Sequence, residues 1–131
     1  MALDPNMKIL VVDDFATVRR IVKNLLRDMG VKNTSEADDG ATALPMLKNG
    51  NFDFLITDWY MPKMQGMELL LAMKADEKLK NIPVLIITAA PKREQMTKAA
   101  HAGVNGFIVK PFTAETLKAK IDRVLTRVGR N

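Results

Sequence analysis

A chain of 131 residues with 47% hydrophobic content is enough for one core and too short for two domains. No apolar run approaches the roughly 20 residues of a membrane span, "MALDPNMKIL" lacks the basic-then-apolar order of a secretion signal, and the absence of cysteine rules out disulfides and thiolate metal sites and fits a reducing cytoplasm. The net charge of +5 permits an acidic partner, but basic residues sit mostly on polar helix faces, zinc-finger spacing is missing and only 5% of residues are aromatic, so we read no nucleic-acid binding from it.

Residues 1–6 read as a leader before Met7, and 7–129 as the domain. "KILVV" (8–12) is a short strand bounded by acids. Phe15, Val18, Ile21, Val22, Leu25, Leu26 and Met29 then recur at helical spacing, with Gly30 as the stop. A weak strand, "TSEA" (34–37), precedes a short helix at about 41–48, punctuated by Gly40 and Gly50. The strand "FDFLIT" (52–57) leads to a helix carrying Met67, Leu70, Leu71 and Met73. "DEKLKNIP" (76–83) reads as a solvated loop, and "VLIIT" (84–88) as the most apolar strand. A polar helix over about 92–102, the strand "GFIV" (106–109) and a helix from Thr113 close the chain. Near-continuous apolar strands are buried on both faces, so the pattern predicts a doubly wound α/β domain with a parallel sheet between two helical layers.

Open α/β sheets bind ligands beyond the carboxyl ends of their strands. At those ends stand Asp13 and Asp14, then Asp58 in "LITDWYMP", then Thr88, then Lys110-Pro111. Each has a plain reading: Asp14 as the cap of the first helix, Asp58 as a turn residue, Thr88 as a strand end, Lys110 as a solvated side chain. All of them on one edge is a more specific arrangement. Three clustered carboxylates repel one another and call for a cation, and oxygen ligands without His or Cys favour Mg²⁺ or a relative. A metal, a hydroxyl and an ammonium around one carboxylate would cradle a phosphoryl group, and a carboxylate can itself be phosphorylated. His101, the one histidine, reads as a benign surface residue near a helix end.

"VVDDF", "DWYMP", "ITA" and "VKPF", in this order and spacing, resemble the receiver domains of two-component signalling, over essentially all of 7–129. "VVDDFATVRRIVKNLL" and "AGVNGFIVKPFTAETL" are most similar to the chemotaxis response regulators. The resemblance implies a five-stranded flavodoxin-like (βα)5 fold with strand order 2-1-3-4-5. It makes Asp58 the phosphoacceptor and gives Mg²⁺ to Asp13, Asp14, Asp58 and the backbone carbonyl of Tyr60. Thr88 would bond a phosphoryl oxygen, Lys110 would bind the phosphate, and Lys110-Pro111 would be cis. The donor would be a chemotaxis histidine kinase, and the output would be binding to the flagellar motor switch protein. Ala90, Pro91, Lys92, Met96, Phe107, Val109 and Lys120 would form the switch and output face. The whole would be a cytoplasmic, monomeric switch rather than an enzyme, limited to self-phosphorylation from a phosphodonor and autodephosphorylation.

Three positions depart from the pattern: Tyr60 where Asn is common, Ala90 where Glu is common, and Phe107 where Tyr is usual. Tyr60 and Ala90 would flank the phosphoryl group, with Trp59 turned toward packing, Tyr60 over the acyl phosphate, and Ala90 leaving the other flank open to water. Tyr60 would also hinder a phosphatase that inserts an amide side chain there. Phe107 lacks a hydroxyl, and Pro91 stiffens its loop. Three rivals remain beside the motor-binding switch. One is a phosphate-sink or phosphorelay receiver. A second is a Mg²⁺-dependent phosphohydrolase, disfavoured because its two acids should be one residue apart. The third is a flavin protein, disfavoured by the acidic first loop.

Overall fold

In a computed structural model that describes residues 4–127, each apolar run folds as a strand and each periodic run as a helix. The order is β1 (Lys8–Val12), α1 (Ala16–Asp28), β2 (Asn33–Ala37), α2 (Gly40–Asn49), β3 (Phe54–Asp58), α3 (Gly66–Lys74), β4 (Val84–Thr88), α4 (Arg93–His101), β5 (Gly106–Val109) and α5 (Ala114–Arg127). All strand pairs are parallel and the sheet order is β2-β1-β3-β4-β5, as the resemblance implied. Of the two outer bounds read from the sequence, residues 1–3 and 128–129 lie outside the described residues.

Every residue of β3 and β4 is buried, because both faces of the central strands are covered. One face packs Leu10, Leu55, Leu69, Leu70 and Met73 with Trp59; the other packs Ile9, Val11, Leu26, Phe54 and Ile121. The edge strand β2 pairs only with β1 and is half exposed, which is why its sequence carries no apolar run. Gly30 does stop α1: its φ of 97° is a left-handed conformation that costs glycine nothing.

Some expectations are corrected. Phe15, Ile21 and Leu71 share the helical period of core residues but are 64%, 48% and 51% exposed. The apolar stripes are wider than the surface the sheet can cover, so their margins face solvent. The loop over 76–83 is not simply solvated. Its turns bury Leu79 and Ile82 at 1% and 8% exposure, and both join the core cluster that packs Leu69 and Met73 on one face of the sheet. β3 begins at Phe54 and ends on Asp58 itself, while Asp53 accepts the Lys8 N–H at 2.9 Å. α2 is capped by Asp39, whose carboxylate accepts from the Thr42 N–H at 2.8 Å, and Gly40 is its first residue.

Candidate functional site

Register alone brings the acids together. Val12 pairs with Thr57, so the next residue of each strand, Asp13 and Asp58, leaves the sheet side by side. Asp58 is level with Ile87, and Thr88 with Val109, so Thr88 and Lys110 reach the same edge. Carboxylate oxygens of Asp13, Asp14 and Asp58 all lie within 4.8 Å of one another. Asp13 and Asp58 are buried, and Asp14 is exposed. Asp14 does not cap α1: the N-cap position is Phe15, without a side-chain cap, and the Phe15 N–H donates to Asp13 Oδ1 at 2.9 Å.

Lys110 enters this cluster from the far side of the sheet. Its Nζ is 2.9 Å from Asp13 Oδ2 and 3.5 Å from Asp58 Oδ1, and the Lys110-Pro111 bond that presents it is cis, as expected. Burial, and then the negative charge of Asp13, push the Asp58 carboxyl up from 3.8 to about 6. The Lys110 ammonium and the Trp59 N–H, which donates to Asp58 Oδ1 at 2.8 Å, pull the other way but do not prevail. Three carboxylates and one ammonium leave a net deficit of positive charge among hard oxygen donors, which suits a small divalent cation. The acidic cluster could therefore hold a metal.

Thr88 Oγ1 accepts the Ala90 N–H at 3.1 Å. A hydroxyl used as acceptor still has its own proton to donate, so Thr88 keeps that capacity. Trp59 packs inward as expected, with its ring centroid 6.2 Å from that of Phe107. Tyr60 reaches toward α4, and its hydroxyl donates to Gln95 Oε1 at 2.7 Å. Of the anticipated output residues, Pro91, Met96 and Phe107 line one open groove of about 490 Å³, together with Arg93, Thr97 and Ala100. Lys92, Val109 and Lys120 lie outside that groove, and Lys92 is the N-cap of α4.

The sequence reading missed three contributors. Arg19 donates to the Asp13 carbonyl and, through Nε, to Glu36 at 2.9 Å, tying α1 to the first acidic loop. Gly66 lets α3 start against the end of β3, since a Cβ there would lie 2.4 Å from the Asp58 carbonyl oxygen. Gln95 anchors Tyr60. Arg19 and Gln95 carry no local signal. The isolated Gly66 ahead of an apolar helix was the only hint, and it suggests a close approach without naming its partner.

Residues 9–122 match the response regulator receiver domain family. The chain belongs to that family. The receiver is 68% identical over 126 residues to chemotaxis protein CheY-3 of Vibrio cholerae serotype O1, covering 96% of this chain and 97% of the relative. It is 66% identical over 123 residues to chemotaxis protein CheY of Pseudomonas aeruginosa, covering 94% and 99%. Among solved structures, chemotaxis protein CheY4 of Vibrio cholerae superposes with a TM-score of 0.85 at 35% identity, covering 91% of this chain and 98% of that one. It is thus a chemotaxis-type receiver of two-component signalling with the flavodoxin-like fold. Among the described residues, no helix is long and apolar enough to cross a membrane.

Proposed function

We propose that the receiver is switched by phosphorylation of Asp58 in the presence of Mg²⁺, and that in this form it binds the flagellar motor switch. The observation that carries the reading is one buried carboxylate, Asp58, set within a cluster of three acids and faced by the ammonium of Lys110. Mg²⁺ would be held by Asp13, Asp14, Asp58 and the Tyr60 carbonyl, where it supplies neutralisation of phosphoryl charge. A carboxylate oxygen of Asp58 attacks the phosphorus of a phosphohistidine on the chemotaxis kinase. The P–O bond forms as the P–N bond breaks, and the electron pair stays on the imidazole nitrogen. Lys110 moves its ammonium from the carboxylates to a phosphoryl oxygen, and the Thr88 hydroxyl donates to another. Water reverses the state by attacking phosphorus, which releases phosphate and restores the carboxylate. No other turnover is needed, so the protein acts as a switch rather than an enzyme, in the cytoplasm and as a monomer.

Acetyl phosphate with Mg²⁺ should add one phosphoryl group to the parent, none to Asp58→Asn, and little to Asp14→Ala, read by intact mass. Undiminished labelling of Asp58→Asn would place the acceptor elsewhere. A phosphate-sink role is favoured by one observation: Phe107 packs on Trp59 and has no hydroxyl to offer a partner. Capture of the phosphorylated receiver by the motor switch peptide supports the motor reading, and failure of capture with full labelling supports the sink.

A further inference from the structure

We infer that Gln95 is a positioning residue for the Asp58 site, holding the Tyr60 ring against the first turn of α4 so that it covers the flank where Ala90 offers only a methyl group. The inference rests on the reading of Asp58 as phosphoacceptor and deepens it.

Tyr60 stands two residues beyond Asp58 and Ala90 two beyond Thr88, so the two bracket the same stretch of the sheet edge. The ring of a residue in the β3–α3 loop has no strand or helix to fix it. Its hydroxyl nonetheless donates at 2.7 Å to Gln95 Oε1, 35 residues away on α4. That bond joins the loop after β3 to the helix after β4, which the chain enters through the exposed residues Ala89 to Lys92. Tyr60 is 37% exposed and the bond lies at the surface, so what it contributes is the direction in which it holds the ring. The same residue stands two positions beyond Asp58 and has its side-chain hydroxyl on α4. One hydrogen bond thus joins the site loop to the helix that bears the Met96 groove. Water attacking an acyl phosphate on Asp58 needs a line of approach opposite the breaking bond, and a fixed ring narrows that approach on the α4 side.

The test compares the parent with Tyr60→Phe, Gln95→Ala, their double variant, and Gln95→Glu, which keeps an oxygen acceptor for the Tyr60 hydroxyl. After acetyl phosphate is removed, acyl phosphate should decay about three- to tenfold faster in either single variant. The double should be no faster than the faster single, because both remove one bond, and Gln95→Glu should decay at close to the parental rate. In parallel, amide exchange over residues 93–98 without any phosphodonor should quicken in Tyr60→Phe and Gln95→Ala and stay parental in Gln95→Glu. Parental decay in either single variant overturns the inference, as does additive decay in the double. If the parent takes up no phosphoryl group, the proposed function fails. The exchange measurement then decides the Tyr60–Gln95 link alone, and unchanged exchange overturns it.

Discussion

The carboxyl of Asp58 is held where its charge is unwelcome, away from water and beside Asp13, and this raises it from 3.8 to about 6. The native chain therefore holds that proton more tightly than the unfolded chain does. The stability this brings is present in full below about pH 3.8 and is lost as pH rises through about 6. Relative to a neutral side chain, the cost at neutral pH is of the order of 3 kcal/mol. With Mg²⁺ withheld, Asp58→Asn should stabilise the protein by about 2–3 kcal/mol near pH 7.5 and by far less near pH 4, read by urea melts. An equal gain at both values would mean that it comes from packing rather than charge. The identity of Asp58 as the acid at the end of a buried strand was legible in its sequence context. Its perturbed ionisation was not, because that depends first on how deeply the fold buries it and then on Asp13, a residue 45 positions earlier that only the β1–β3 register brings alongside.

At the scale of elements, α3 starts so close to β3 that its first residue has no room for a side chain. The Gly66 N–H donates to the Trp59 carbonyl at 2.9 Å, and an added Cβ would meet the Asp58 carbonyl oxygen and, at 3.2 Å, the Trp59 Cα. The obstacle is backbone, which cannot swing aside as a side chain would. Gly66→Ala should cost about 1–3 kcal/mol and should weaken Mg²⁺-dependent labelling by displacing the loop that carries Tyr60. Parental stability by denaturant melting would show that α3 can slide away without penalty. The five strands and five helices were all visible as runs of apolar or periodic residues. Their margins were less so: Phe15, Ile21 and Leu71 keep the helical period while facing solvent, and Leu79 and Ile82 are core residues inside a polar stretch. Periodicity records which side of an element is apolar, but what covers that side is decided by its neighbours.

The whole molecule is one sheet with a core on each face, Leu69 in one cluster and Leu26 in the other. Both are fully buried, so truncation to Ala should cost about 3 kcal/mol at each position, from lost transfer energy and the cavity left behind. The central strands β1, β3 and β4 supply residues to both clusters, so the two layers should unfold together. Losses in the double variant should add to within about 0.5 kcal/mol, because the sheet separates the sites. Trp59 fluorescence and far-UV circular dichroism should report the same midpoint in each variant. Divergent midpoints in Leu26→Ala would mean that the layers unfold separately. At this scale the sequence by itself determined the alternation of strands and helices, the parallel sheet between two helical layers, and the placing of Asp13, Asp14, Asp58, Thr88 and Lys110 at strand ends. These follow from side-chain period and hydrophobicity, which act within a few residues along the chain. Only the tertiary structure decided that Lys110 reaches Asp13 across 97 residues, that Arg19 and Gln95 brace the loops around the site, and that Tyr60 turns toward α4. Each of these contacts depends on strand register and on how a helix seats against the sheet, and neither quantity is carried by any local stretch of the chain.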